Sequence, residues 1–356
     1  MILTINGGSS TVKYAGYSAD GGFAQLFKGK VEGRGEGVVE SIQSQIGERK
    51  VLGIGHRVVH PGLKLRDHCV IDHGVMAELR AAVRMDLAHL PGEIELIEQM
   101  GTAFPGVPQV ACLDTAVFKG MADVAKIWPI PRRYFEAGVR RLGFHGLSYT
   151  YLMGQLGKNR GKIIFAHLGN GASMAAVSNL EVVDTSMGLT PLGGLVMGTR
   201  PGDLDPGVVV HLMREEKKRP QEMEEFLSKE CGLKGIAGVS DMRTLLAARD
   251  TDKRAAEAVE IFCRQAKKFI GAYAAIMGGL DTLVFSGGIG ENSPEIRAEI
   301  CAGLEFLGIE IYEYLNRRNS GEISRRNGRV VVSVIPTDEE FVMAKIVWDL
   351  LGRRSS

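Results

Sequence analysis

Two segments of the chain carry residue types suited to binding anions, in the same arrangement. The first is Ile2-Leu3-Thr4-Ile5-Asn6-Gly7-Gly8-Ser9-Ser10-Thr11-Val12-Lys13. The second is Ile163-Ile164-Phe165-Ala166-His167-Leu168-Gly169-Asn170-Gly171-Ala172-Ser173. Each reads as a hydrophobic strand, a Gly/Ser/Asn turn and a returning strand. Glycines in such turns let backbone N–H groups approach an anion closely, and neighbouring hydroxyls and amides add donors. A third Gly-rich turn, Gly287-Gly288-Ile289-Gly290-Glu291-Asn292, precedes Ser293-Pro294-Glu295, a helix start that also favours anions. One such turn alone reads equally well as hairpin chemistry. Two, one near the start of each half, together with the third, point to two lobes gripping one polyphosphate and hence to phosphoryl transfer. Neither G-x-x-x-x-G-K-[ST] nor G-x-G-x-x-G occurs, so the phosphates are held without those loops.

Charged residues near these turns supply candidate chemistry. Arg57 and Arg200 follow apolar segments and lie in polar loops, where a guanidinium clamps carboxylate or phosphate; the alternative for each is a surface ion pair. Asp114 ends the apolar run Gln109–Leu113, and ligand sites in open α/β sheets gather at strand carboxyl ends; capping a helix is its other use. His145 and His167 each adjoin glycine and read alone as loop histidines. Glu339 and Glu340, on residue physics alone, read as first-turn helix charges. His56 and His60 share one face of a strand without further ligands and make no metal site.

The elements that position these groups alternate. Strands are expected near Ala24–Lys28, Val51–His60, Gln109–Leu113, Thr282–Phe285 and Val330–Ile335, besides the two hairpins. Helices are expected over Val38–Ile46, Val75–Leu87, Gly92–Met100, Ser148–Leu156, Asp252–Met277 and from Glu339 through Leu351. Strands followed by helices, twice over, predict a duplicated α/β architecture with a cleft between lobes. The Gly-dense stretch Met187–Asp203 is a long loop of functional composition.

Bulk properties permit this. A chain of 356 residues fits two domains. With 43 basic against 42 acidic side chains the net charge is +1, which excludes a nucleic-acid field or a polybasic membrane patch. No signal-peptide pattern and no membrane-spanning apolar run is present. Five scattered cysteines without a C-x-x-C pair predict reduced, mostly buried thiols in a cytoplasmic protein.

Nine stretches in order (Asn6–Lys13, Gly55–Gly62, Asp114–Ala116, Gly143–Gly146, His167–Ser173, Asp184–Asp205, Gly235–Arg243, Gly287–Pro294, Pro336–Glu340) resemble the acetate kinase family of short-chain carboxylate kinases. The resemblance covers essentially the whole chain. It implies a duplicated ribonuclease-H-like fold of the actin, sugar-kinase and Hsp70 type, with residues 1–116 plus 338–356 as one lobe and 117–337 as the ATP-binding other. It implies reversible ATP-dependent phosphorylation of acetate or a close relative such as propionate, Mg2+ as cofactor, and a homodimer. By position Arg57, Arg200, Asp114 and His145 resemble the family's catalytic residues. Lys13, with Ser9 and Thr11, matches the first phosphate hairpin, and His167, Gly169, Asn170 and Gly171 the second. Asp241, Met242, Arg243 and Gly288–Asn292 match adenosine-binding segments, and Asn6 and Glu339 the Mg2+ residues. Val59, Ala88, Phe144 and Pro191 match the acyl pocket.

Three departures stand out. The first lobe is trimmed before Gly55. Ala88 replaces a pocket leucine, which opens the way to propionate or longer acids unless neighbours fill the space. Leu147 and Tyr149 stand where the family's G-F-H-G-T-S-H has polar residues. Two other readings remain open: a pyrophosphate-dependent kinase, and a catalytically weak nucleotide-binding regulator.

Overall fold

The computed structural model describes residues 1–8, 11–33, 37–157, 161–319 and 321–352. Twelve strands form two six-stranded sheets. The first contains β1 (Ile2–Gly7), β2 (Thr11–Tyr17), β3 (Gln25–Glu32), β4 (Gly53–Val58), β5 (Cys69–Val70) and β6 (Gln109–Leu113) in the order β3-β2-β1-β4-β6-β5. The second contains β7 (Lys162–Leu168), β8 (Ala172–Ser178), β9 (Glu181–Thr185), β10 (Thr282–Ser286), β11 (Gly321–Glu322) and β12 (Val331–Val334) in the order β11-β12-β10-β7-β8-β9. In each sheet an antiparallel three-strand meander leads into two parallel strands and ends on a two-residue antiparallel edge. The two orders superimpose element for element, so the duplication inferred from the hairpins is a duplication of whole sheets.

Burial on both faces explains why the central strands read as continuous apolar runs rather than alternating ones. Every residue of β1 is buried. Leu3 and Ile5 pack with Val38, Ile42 and Ile46 of α1 (Gly37–Ile46) and with Leu96 and Met100 of α2 (Leu90–Ala103). Ile2 packs on the opposite side with Val342, Met343 and Val347 of the terminal helix, Glu339–Gly352. The second sheet buries Ile164, Ala166 and Phe285 against Ala255, Val259, Phe262, Ala266 and Ile270 of the long helix Lys253–Met277, an amphipathic stripe of 3.6-residue period. Its other face takes Tyr149 and Leu152 of α3 (Gly146–Leu156). Leu147, two residues earlier on the same helix, belongs to the first sheet's core. That helix is therefore a wall common to both halves.

Several expectations shift. The Val51–His60 strand contracts to Gly53–Val58, and Val75–Leu87 becomes a helix over His73–Ala82 followed by a 3-10 turn at Val83–Met85. Gly287–Asn292 is itself helical rather than a turn. Gly287 has φ +77, and a Cβ there would lie 2.7 Å from the Leu168 carbonyl oxygen, so glycine is required where the strand bends into it. The next helix begins at Pro294, but the Ser293 side chain makes no cap bond. Cys112, Cys263 and Cys301 are buried, while Cys69 and Cys231 are half-buried.

Candidate active site

Strand ends set the geometry. In β1 and β2 the register pairs Asn6 with Lys13, and parallel pairing brings the end of β4, with Arg57, beside the end of β6, just before Asp114. In the second sheet His167 pairs with Ser173 across the hairpin and with Ser286 on β10. The carboxyl ends of both sets of parallel strands therefore face one cavity of about 500 Å³.

Arg57 and Asp114 form its floor. Arg57 donates from Nε (3.1 Å) and Nη2 (2.6 Å) to the same oxygen, Asp114 Oδ2, and from Nη1 to Asn6 Oδ1 at 3.2 Å. Asp114 Oδ1 is buried without a hydrogen-bond partner among the described residues. Burial raises the Asp114 pKa from its ordinary value, and Arg57 opposes the rise. For Arg57, burial works against the charge, but Asp114 and Glu339 outweigh it and hold the guanidinium firmly protonated.

Asn6 donates from Nδ2 to Glu339 Oε2 (3.0 Å) and to Glu340 Oε1 (2.9 Å). One amide thus aligns both carboxylates at the start of the terminal helix. Burial pushes Glu339 up, but Arg57 and His167 more than offset it and its pKa falls. Burial and the neighbouring Glu339 leave Glu340 raised. Reading the pair as plain first-turn charges misses this coupling.

Arg200 differs from Arg57. Its Nη1 donates to the Pro191 carbonyl at 3.2 Å, and Nη2 lies 3.5 Å from His89 Nε2. Among the described residues it has no carboxylate partner. Burial, and after it Arg57, lowers its pKa from the usual arginine value, with Asp86 opposing. His89 is oriented by Asp86, whose Oδ1 accepts from Nδ1 at 2.9 Å.

His145 takes a left-handed conformation (φ 59, ψ 25) at the head of α3. Gly146 follows because a Cβ there would collide with the Asp114 carbonyl oxygen, to which the Gly146 N–H donates at 2.9 Å. The His145 ring stacks on His167 with centroids 4.3 Å apart. Burial, then the neighbouring His167, Arg57 and Arg200, hold the His145 pKa well below the usual imidazole value. Burial likewise lowers His167 to about 4. Both rings are neutral at pH 7.

The cavity brings together Asn6, Thr11, Lys13, Arg57, Asp114, His145, His167, Gly169, Asn170, Gly171, Arg200, Gly288, Glu291 and Glu339 from the sequence-derived set, and Val59, Phe144 and Pro191 from the acyl set. Ser9 lies outside the described residues. Ala88 is half-buried and does not line the cavity; the adjacent His89 does. Asp241, Met242, Arg243, Ile289, Gly290 and Asn292 also lie outside the lining. Asp241 instead caps the helix Met242–Ala248, accepting from the Thr244 N–H at 3.0 Å, and Met242 is core. Asn292 Nδ2 donates to the Gly288 carbonyl at 3.0 Å. Glu291 Oε1 accepts from the backbone N–H of Gly287 (2.9 Å) and of Thr337 (3.3 Å), tying two strand ends together. Gly8, His89 and Thr337 line the cavity without having been singled out from sequence, and Glu340, read there as a first-turn helix charge, lines it too. Behind Val59, buried Glu93 accepts from the Val59 N–H with both oxygens at 3.3 and 3.2 Å.

No group of three or more His, Cys, Asp or Glu able to cage a metal occurs among the described residues. A magnesium ion is ordinarily held by one or two carboxylates, with substrate phosphates and water completing its shell. The bare Asp114 Oδ1 and the Glu339 carboxylate suit that mode. The Asn6 oxygen accepts from Arg57, and its amide nitrogen orients both carboxylates.

Two duplicated sheets with a glycine-bearing hairpin from each at a shared cleft define a two-lobed protein of the actin, sugar-kinase and Hsp70 type. The acetokinase family model matches residues 37–345, and the chain belongs to that family. The acetate kinase of Nitrobacter hamburgensis is 40% identical, the match covering 100% of this chain and 97% of that protein. Among solved structures, a propionate kinase from Francisella tularensis superposes with TM-score 0.91 at 34% identity, covering 98% of this chain and 99% of its own. The Porphyromonas gingivalis acetate kinase gives 0.87 at 34%, with the same coverage.

Proposed function

We propose that this chain transfers the γ-phosphoryl of ATP to a short-chain carboxylate, acetate or a close relative such as propionate, and runs the reverse reaction. The observation that carries the reading is Arg200: a half-buried guanidinium facing the cleft without a carboxylate of its own among the described residues. A partly desolvated cation without a counter-charge is costly unless a ligand anion neutralises it. Arg57 is occupied by Asp114, so the two arginines divide the work. Arg200 receives the acid or the transferring group, and Arg57 holds Asp114.

The acid is already ionised at pH 7, so one of its oxygens attacks phosphorus directly, the bond to the β-phosphate oxygen breaks, and ADP leaves. No base is required. Thr11, Lys13 and the Gly169–Gly171 turn hold the phosphates, while Arg200 and His145 donate to charge developing on the transferred group. Bound at Asp114 and Glu339, Mg2+ would neutralise phosphate charge. Val59, Phe144 and Pro191 face the acyl group. Asp241–Arg243 and Gly288–Asn292, the segments matched to adenosine binding, are assigned to the adenosine end of the nucleotide, although only Gly288 and Glu291 of them line the cavity. Retention of these segments favours ATP over pyrophosphate, which needs no adenosine pocket. The lobes divide as 1–116 plus 338–356 and 117–337, supported by packing of the terminal helix on the first sheet. A cytoplasmic homodimer completes the reading.

A hydroxamate assay with Mg-ATP across formate, acetate, propionate, butyrate and isobutyrate tests it, with Arg200→Ala as control. Product with at least one acid, lost in the control, is expected. ATP binding without product on any acid overturns the kinase reading in favour of a regulatory one.

A further inference from the structure

Behind His145 lie, in line, two polar groups, Ser173 and Tyr149, that phosphoryl transfer, as described, leaves unused. Tyr149 is fully buried, its ring 6.0 Å from Phe118 and 5.9 Å from Phe165 between centroids. Its hydroxyl has one hydrogen-bond partner among the described residues, Ser173 Oγ. Ser173 is also fully buried, and its hydroxyl has one other partner, His145 Nδ1, at 2.8 Å. His145 and Tyr149 stand four residues apart at the head of α3, so both reach the same hydroxyl on β8.

Hydrogens in this line can be counted. The phenol carries one hydrogen, and burial keeps its pKa raised, so it remains protonated. Its one available acceptor is Ser173 Oγ; turning the hydrogen elsewhere would leave a buried donor unpaired. Ser173 therefore accepts from Tyr149 and directs its own hydrogen to the remaining partner, His145 Nδ1. A neutral imidazole that accepts at Nδ1 carries its hydrogen on Nε2. That nitrogen faces the cleft: a Cβ built on Gly171 would stand 3.3 Å from His145 Nε2 and 3.8 Å from Arg200 Nη1.

We propose that Tyr149 is a positioning residue which, through Ser173, locks His145 in the Nε2–H tautomer so that a neutral ring offers a donor to the transferring phosphoryl group. The opposite tautomer would aim a lone pair at an anion. Tyr149 thus restores polarity at a position where its departure from the family pattern suggested a loss, whereas Leu147 is simply core. The role assigned to the donor rests on the kinase reading; the tautomer does not.

The test is nitrogen-15 NMR of the full chain labelled at histidine, with the His145 signals identified by their absence in His145→Gln. In the unsubstituted protein, Nδ1 is expected in the unprotonated, pyridine-type range and Nε2 in the protonated, pyrrole-type range. Tyr149→Phe frees the Ser173 hydroxyl, so both tautomers appear, and kcat falls roughly five- to tenfold with KM for acid and nucleotide unchanged. An Nδ1–H ring in the unsubstituted protein overturns the proposal. So does a folded Tyr149→Phe with an unchanged tautomer ratio. The first spectrum decides even where the variant fails to fold. Absence of turnover on every acid counts against the kinase reading and leaves the tautomer assignment standing.

Discussion

Arg57 spends both Nε and Nη2 on a single oxygen of Asp114, Oδ2, and so leaves Oδ1 buried and bare at the cavity floor. A bidentate fork would have closed the carboxylate to anything else. Asp114→Asn keeps the shape and one acceptor but removes the charge. Turnover should fall roughly 10²–10³-fold, and the Mg2+ concentration for half-maximal rate should rise, because the carboxylate proposed to hold the ion is gone. Magnesium titration of the variant checks this; an unchanged magnesium requirement would assign Asp114 to Arg57 alone.

The two arginines should separate stability from function. Arg57→Ala strands a buried Asp114 charge and should cost about 3–5 kcal/mol of stability besides activity. Arg200→Met removes a cation without a carboxylate partner among the described residues, so the protein should keep or raise its Tm while turnover falls roughly 10²–10³-fold. Calorimetry beside the hydroxamate assay reads both. A strongly destabilised Arg200→Met would mean that Arg200 serves the fold, contrary to its proposed role.

Sequence patterns exposed the parts of the site that sit in strand-end motifs. Asn6, Arg57, Asp114 and His167 converge because the chain repeats one sheet twice and sends the carboxyl ends of its parallel strands to the same cleft, where His145 from the head of α3 and Arg200 from a loop meet them. What escaped lies in elements with a strong structural alternative. Glu93 sits in the first turn of its helix, where a carboxylate ordinarily faces water, yet it shares the buried face with Leu90, Ile94 and Ile97. Helical phase marked it, and charge concealed it. Ser173 looked like one more hairpin hydroxyl, since nothing local shows which side chains the packing of α3 brings to it. The Gly287–Asn292 helix escaped for compositional reasons: three glycines in six residues argue for a turn, and of the three only Gly287 is required, by its tight approach to Leu168.

Acid selectivity should follow Val59 rather than Ala88. Val59 lines the cavity and is held from behind by Glu93, whereas Ala88 stands outside the lining. Val59→Ala opens space for about two carbons and should shift kcat/KM towards propionate or butyrate by roughly 10–200-fold relative to acetate. Ala88→Leu should change that ratio by less than about threefold, below the value of one methylene contact. A large shift from Ala88→Leu, with none from Val59→Ala, would move the pocket wall to the other residue.

Stability should fall on mild acidification, and buried histidines fix the window. His56 is 2% exposed and bonds Gln109 Oε1 through Nε2 at 2.6 Å; burial lowers its pKa from 6.5 to about 4. His68 and His167 are lowered by burial to about 4 as well. A depressed folded pKa means that the unfolded chain binds the proton first. The stability these rings contribute is therefore intact above pH 6.5 and is lost as pH falls towards 4. Each proton taken up adds a slope of about 1.4 kcal/mol per pH unit in that range. The raised carboxyls, Glu93 and Glu340, act in the opposite sense, since they favour the folded state below the ordinary carboxylate pKa and lose that contribution as pH rises. His56→Gln removes one titrating group while keeping a polar partner for Gln109, so its Tm should decline less steeply than the parent's between pH 6.5 and 4. Parallel slopes in the two proteins would show that His56 takes up no proton on unfolding in that interval.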